Sequence, residues 1–275
     1  MFPGLLAAFA TALCYGVGTV LQAIAARRTD PVEGLDPRLL VRLLRSWLYV
    51  VGLTLDGLGF ALSLVAVRSL PLFVVQAVVA SSLAVTAVLG AVFLKMSLDR
   101  RDLVSLGVVV LGLALVTASA TEDRTVLVST VETYGVLVVA VLLGSAALPA
   151  SRLADARGAA ALGVVAGLAY GVTAVAARML AGEGTVEGLL RSPAAWGLLV
   201  AGFVAVLAHS TALQRGTVTQ VTAPTVVVET IGPALVGLLL LGDQARPGWG
   251  WVGAVGFTLA VIGAVGLARY GEAAD

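Results

Sequence analysis

An all-α, polytopic membrane protein is predicted by three observations on the sequence. Hydrophobic residues make up 59% of the 275-residue chain and charged residues 12%, with a mean hydropathy of +1.03. Such a chain has more apolar surface than one water-soluble core can hide and too few charges to coat the rest. Apolar runs long enough to cross about 30 Å of hydrocarbon recur between short polar breaks. They are far longer than barrel strands and lack apolar/polar alternation, so strands are not expected.

Nine runs follow in order: Gly4 to Ala26, Trp47 to Val67, Leu70 to Leu94, Leu103 to Ala120, Val131 to Leu148, Gly158 to Leu180, Pro193 to Leu213, Thr217 to Leu241 and Gly248 to Ala268. The first is too long for a signal-peptide core and is followed by Arg27 and Arg28 instead of a small-residue cleavage site, so it is expected to be a retained helix. The fifth is the shortest signal, starting beside Glu132, and is assigned as a linking helix. Between the first two runs, Pro37 to Arg45 reads either as a basic amphipathic turn on the inner leaflet or as a solvated loop.

Lys and Arg in the connections set the expected orientation. With the N-terminus outside and the C-terminus inside, twelve of the 17 fall on the inner side, and Arg68, Arg124, Arg178, Arg191 and Arg246 on the outer. The expected location is the cytoplasmic (plasma) membrane. A formal charge of +1, with arginines scattered between apolar runs, argues against a nucleic-acid partner. The single cysteine, Cys14, excludes an internal disulfide and reads as a small packing residue.

The chain also repeats itself. Ala8, Ala12, Gly16 and Val17 correspond to Gly163, Gly167, Gly171 and Val172, with Tyr15 matching Tyr170. Arg68 through Leu94 aligns without a gap to Arg215 through Leu241. The predicted organisation is a first repeat of four helices (1–120), a linking helix with its loops (121–157) and a second repeat of four helices (158–275). An odd number of intervening spans inverts the second repeat, an architecture of secondary transporters whose sites lie at the midplane.

Asp56 and Glu229 stand alone near the centres of two apolar runs, one in each half. A carboxylate at bilayer depth costs several kcal/mol, and the usual reason for placing one there is to meet a proton, a cation or a substrate; the structural alternative is a bond to a neighbouring helix. Pro224, Gly232 and Pro233 bracket Glu229, predicting a helix break in which Pro233 frees the Glu229 carbonyl. Tyr15, Tyr170, Gln76 and Thr222 are assigned as walls of a substrate site, with Glu229 as the coupling acid. Gln22, Gln220 and His209 are weaker candidates, His209 reading as a hydrogen-bonded interface residue.

The stretches Ala12-Leu13-Cys14-Tyr15-Gly16-Val17, Gly57 through Ala66, Arg68-Ser69-Leu70-Pro71 and Asp99-Arg100-Arg101-Asp102-Leu103 with Gly107, echoed by Ala169-Tyr170-Gly171-Val172, Gly216 to Pro224 and Leu241-Gly242-Asp243-Gln244, resemble the drug/metabolite transporter superfamily. The resemblance covers most of the chain through degenerate motifs. Many members carry ten helices in two EamA-like halves; nine, with Trp47 opening the second, resembles the NIPA-like branch, which implies magnesium transport. The family's frequent Gly-Glu-Arg is Lys95-Met96-Ser97 in one half and Gly242-Asp243-Gln244 in the other, so the branch's substrate does not carry over.

The favoured expectation is a secondary transporter of a small organic solute, proton-coupled through a midplane carboxylate. The alternative is Mg²⁺ or another divalent cation held by Asp56 and Glu229, for which further oxygen ligands are sparse. A non-transporting membrane scaffold or accessory subunit is a third reading. An enzyme is not expected, since one His and one Cys supply neither a nucleophile–base pair nor a metal triad. No cofactor is expected; the partners are a small molecule or ion, the bilayer, and a second copy of the chain as a candidate homodimer.

Overall fold

A computed structural model describes residues 2–29, 37–93, 100–120, 129–153, 155–181, 185–216 and 218–266. Twelve helices account for nearly all of these: α1 (Phe2–Arg27), α2 (Arg38–Leu43), α3 (Trp47–Ala66), α4 (Leu72–Ala80), α5 (Ser82–Phe93), α6 (Arg100–Ser119), α7 (Thr130–Arg152), α8 (Asp155–Leu180), α9 (Val186–Arg191), α10 (Pro193–Arg215), α11 (Val218–Leu239) and α12 (Gly250–Gly266). A single bridge, Ala120 to Ala245, is the one extended pairing among the described residues.

Five helices are long and apolar enough to cross a bilayer: α1, α3, α7, α8 and α10. Four shorter apolar stretches, Leu72–Val85, Leu103–Ser119, Pro224–Leu239 and Gly250–Gly266, occupy the remaining runs. The chain is thus an all-helical protein built for multi-pass embedding in a membrane. Large apolar side chains such as Leu111, Leu142, Leu199 and Ile262 face outward, as lipid requires of a bundle surface.

Three sequence readings change. The third run is one helix by composition but two in the fold, because Ser81 turns its hydroxyl back to the Val78 carbonyl (2.6 Å) and its own amide bonds there too. The fifth run is 23 residues long, opened by a capping box between Ser129 and Glu132, so the acid that weakened the prediction starts the helix. Of the two alternatives for 37–45 the loop gives way: α2 is a short amphipathic helix whose Leu39 and Leu43 are fully buried against the bundle while Arg38 and Arg42 are exposed.

Pairwise packing is organised by small residues. α1 packs on α3, α8 on α10 and α11, α7 on α10, and α6 on α12. At the α6–α12 crossing the backbones touch: a Cβ on Gly112 would lie 2.4 Å from the Ala260 nitrogen, and one on Gly256 2.8 Å from the Gly112 carbonyl oxygen. Close backbone approach is how helices gain van der Waals contact where lipid removes the hydrophobic drive. Gly112→Val is therefore expected to cost about 1–3 kcal/mol, read as a lower unfolding temperature in detergent; an unchanged temperature would refute the close crossing.

Near the end of α8, Arg178 forms a buried ion pair with Asp243 (3.2 Å; side chains 7% and 0% exposed). Arg178 Nη1 also donates to the Val67 carbonyl (2.9 Å), and the Leu72 amide at the start of α4 donates to Asp243 (2.6 Å). The pair thus ties α8, the α3–α4 connection and the turn after α11 together. Gly242, at φ 72°, makes that turn possible: the left-handed backbone reverses the chain at the end of α11 and returns Asp243 to the Leu72 amide. Gly237 gives the carboxylate room, since a Cβ there would meet Asp243 Oδ2. Burial pushes the Asp243 carboxyl up from its ordinary range, opposed by Arg178 and by the Leu72 and Phe73 amides. Arg178, counted from sequence among the outer-side cations, is buried as the partner of Asp243.

Candidate functional site

A partly open cavity of about 440 Å³ runs between α1, α3, α4, α5, α8, α10 and α11. That is within the size range of small-molecule sites. Four of these helices present two or more polar residues on one stripe. On α1 they are Tyr15, Thr19 and Gln22; on α3, Asp56 and Ser63; on α8, Tyr170 and Thr173; on α11, Thr222, Thr225 and Glu229. Spacings of three, four and seven positions put such residues one above another on a helix face. Between them the walls are apolar, with Phe60, Val75, Val79, Leu198 and Val226 among the lining side chains.

All six residues assigned to a substrate or coupling site from sequence (Glu229, Asp56, Tyr15, Tyr170, Gln76 and Thr222) line this one cavity. Asp56 is held in place by α1: Gln22 Nε2 donates to its Oδ2. Gly18 and Gly52 bring the two helices close enough for this, each lying against the other's carbonyl. Glu229 makes no hydrogen bond or ion pair within the described residues, so its carboxylate is available to whatever enters. His209 and Thr222 are 8% and 4% exposed, and His209 Nδ1 and Thr222 Oγ1 have no partner among the described residues. A buried polar atom without a partner is costly, and its place in a cavity wall gives it a reason to wait for a ligand.

The predicted helix break is not observed. α11 runs without interruption from Val218 to Leu239 through Pro224 and Pro233. Thr225 Oγ1 donates to the Val221 carbonyl (2.8 Å) and across to that of Gly163 on α8 (2.9 Å), and Thr230 Oγ1 to that of Val226 (2.6 Å), bonds that lie one turn before each threonine and, for Thr225, tie α11 to α8. Gly171 accommodates the Pro233 ring, which a Cβ would approach to 3.1 Å. Pro224, Gly232 and Pro233 are all part of the same continuous helix, and a Cβ on Gly232 would meet nothing within 4 Å.

Sequence reasoning undervalued Gln22 and His209. Gln22 is the partner of Asp56, and its position three residues after Thr19 and seven after Tyr15 was the available signal. His209 is not a hydrogen-bonded contact at Nδ1; its ring meets Tyr170 edge to face, centroids 6.1 Å apart, at the cavity wall. Gln220 lies among residues whose side chains are outside the described set.

For a metal, the chemistry on offer is limited. Among the described residues no three His, Cys, Asp or Glu side chains form a cluster able to hold an ion. Asp56 and Glu229 remain two carboxylates on one cavity wall system. No family model, no curated protein and no solved structure matches the chain.

Proposed function

We propose that the chain is a secondary transporter that carries a small organic solute across the cytoplasmic membrane, coupled to protons through Glu229 and assisted by Asp56. The observation that carries this reading is convergence: two acids from separate halves of the sequence, with Tyr15, Tyr170, Gln76 and Thr222, line one partly open cavity. A scaffold or accessory subunit would have no use for a cavity lined by an unpartnered carboxylate, histidine and threonine.

Packing supports two related repeats. Tyr15 lies against Gly59 between α1 and α3, and Tyr170 lies against His209 between α8 and α10. Gly16 approaches Ser82 and Val85, while Gly171 approaches Glu229 and Pro233. The alignment that pairs Arg68 with Arg215 also pairs Ser82 with Glu229. On this reading the nine apolar runs span the membrane as two inverted four-helix repeats flanking α7, with the N-terminus outside, as in the drug/metabolite transporter superfamily that the sequence resembles. The two acids are then not equivalents: Glu229 stands where the first repeat has Ser82, so only one repeat carries the coupling group.

The test is flux in proteoliposomes for a panel of organic solutes and Mg²⁺, with and without a proton gradient. At least one organic solute is expected to accumulate, with a proton ionophore reducing accumulation by about tenfold or more. Movement of Mg²⁺ alone would replace this reading with cation transport through Asp56 and Glu229, and no flux of any solute would favour the scaffold.

A further inference from the structure

The charge of the cavity is one-sided. Its described lining holds two carboxylates and no Lys or Arg. One oxygen of Asp56 is engaged by Gln22, whereas Glu229 has no hydrogen-bond or ion-pair partner within the described residues. While both acids are ionised, an anionic solute would meet two like charges with no Lys or Arg in the described lining to neutralise it, and like charges at low dielectric are strongly unfavourable. A protonated amine would meet the reverse: charge-assisted hydrogen bonds from its ammonium to the carboxylates, in a cavity that the rings of Tyr15, Phe60 and Tyr170 also line.

The cavity also holds a second set of polar groups. Thr222 lies seven positions before Glu229 on α11, two turns and about 10 Å along the axis. Its hydroxyl, like His209 Nδ1, is buried and unpartnered among the described residues. Between the two levels the wall includes Val226, and Val75 and Val79 line the cavity from α4.

We propose that the solute is an organic cation: an amine whose ammonium is held by Asp56 and Glu229, whose apolar body crosses the valine-lined wall, and whose far end hydrogen-bonds to Thr222 and His209. This names the substrate class of the site described above and rests on the carrier reading for its transport. A six-carbon amino alcohol spans the required length.

The experiment is calorimetric titration of the purified full chain in nanodiscs with 6-aminohexan-1-ol, hexylamine, hexane-1,6-diol and 6-hydroxyhexanoate. The amino alcohol is expected to bind at least about tenfold more tightly than the diol or the hydroxy acid. It is also expected to exceed hexylamine by about fivefold, a preference that Thr222→Val erases. The ligand comparisons need only the unmodified chain, so they hold even if a variant folds poorly. Equal binding of the diol, tighter binding of the hydroxy acid, or no binding of either amine would overturn the proposal. Amine binding without flux in vesicles would sustain the cation site and remove the carrier; flux of neutral or anionic solutes without amine binding would do the opposite.

Discussion

Glu229→Gln is expected to reduce proton-driven uptake by roughly 100-fold, the scale on which loss of a positioned proton-transfer group acts. Gln keeps the size and hydrogen-bonding capacity of the side chain and removes only its ability to take and release a proton. Because no hydrogen bond or ion pair holds Glu229 among the described residues, the variant is expected to keep its fold, with an unfolding temperature near that of the parent. Uptake measured across a pH series separates the roles: the parent responds to the gradient, while the variant gives a low, pH-independent rate. Asp56→Asn is expected to have the smaller effect on coupling, since an amide at that position still accepts from Gln22. Parent-like uptake by Glu229→Gln at every pH would remove it as the coupling group.

The second large effect is on stability. Arg178→Met leaves Asp243 buried with no cation beside it, and breaking a buried pair from one side costs about 3–5 kcal/mol. It also removes the donor to the Val67 carbonyl, so the tie between α8 and the α3–α4 connection is lost. Val67 and Ala177, which flank this cluster, line the cavity, and the damage is expected to reach the site as weaker solute binding. The double variant Arg178→Met/Asp243→Leu buries no lone charge and is expected to regain part of the loss, leaving unpaired the Val67 carbonyl and the Leu72 and Phe73 amides. Thermal unfolding in detergent distinguishes these outcomes. Equal stability of Arg178→Met and the parent would mean that the pair is not buried in the protein.

What the sequence made legible follows from which signals are local. Apolar length needs no tertiary context, so all nine runs contain helix, and each run's ends fall close to the observed bounds. The acids stood out because charge inside an apolar run is rare whatever surrounds it. Ser81 was not legible: its bond to Val78 makes a turn that one serine in an apolar run does not announce. The prolines misled for a related reason, because the Pro233 ring finds its room against Gly171 on another helix, which the local sequence does not announce. The burial of Arg178 was not legible because counting cations by side says nothing about their partners, and Asp243 lies 65 positions away. The site's membership was more legible than it was read: a stripe test for polar residues at helical spacing picks out Thr19 and Gln22 below Tyr15, and Thr225 between Thr222 and Glu229.

The claim on which all of this turns is that water and solute reach the carboxylate of α11. Replacing Cys14 by Ala leaves a chain without thiols, and Glu229→Cys then places the only one at the cavity wall. In sealed proteoliposomes this thiol is expected to react with a membrane-impermeant methanethiosulfonate reagent supplied from one side, and 6-aminohexan-1-ol is expected to slow the reaction in chains that keep Asp56. A thiol that resists the reagent from both sides, while labelling readily once the protein is unfolded, would contradict the account.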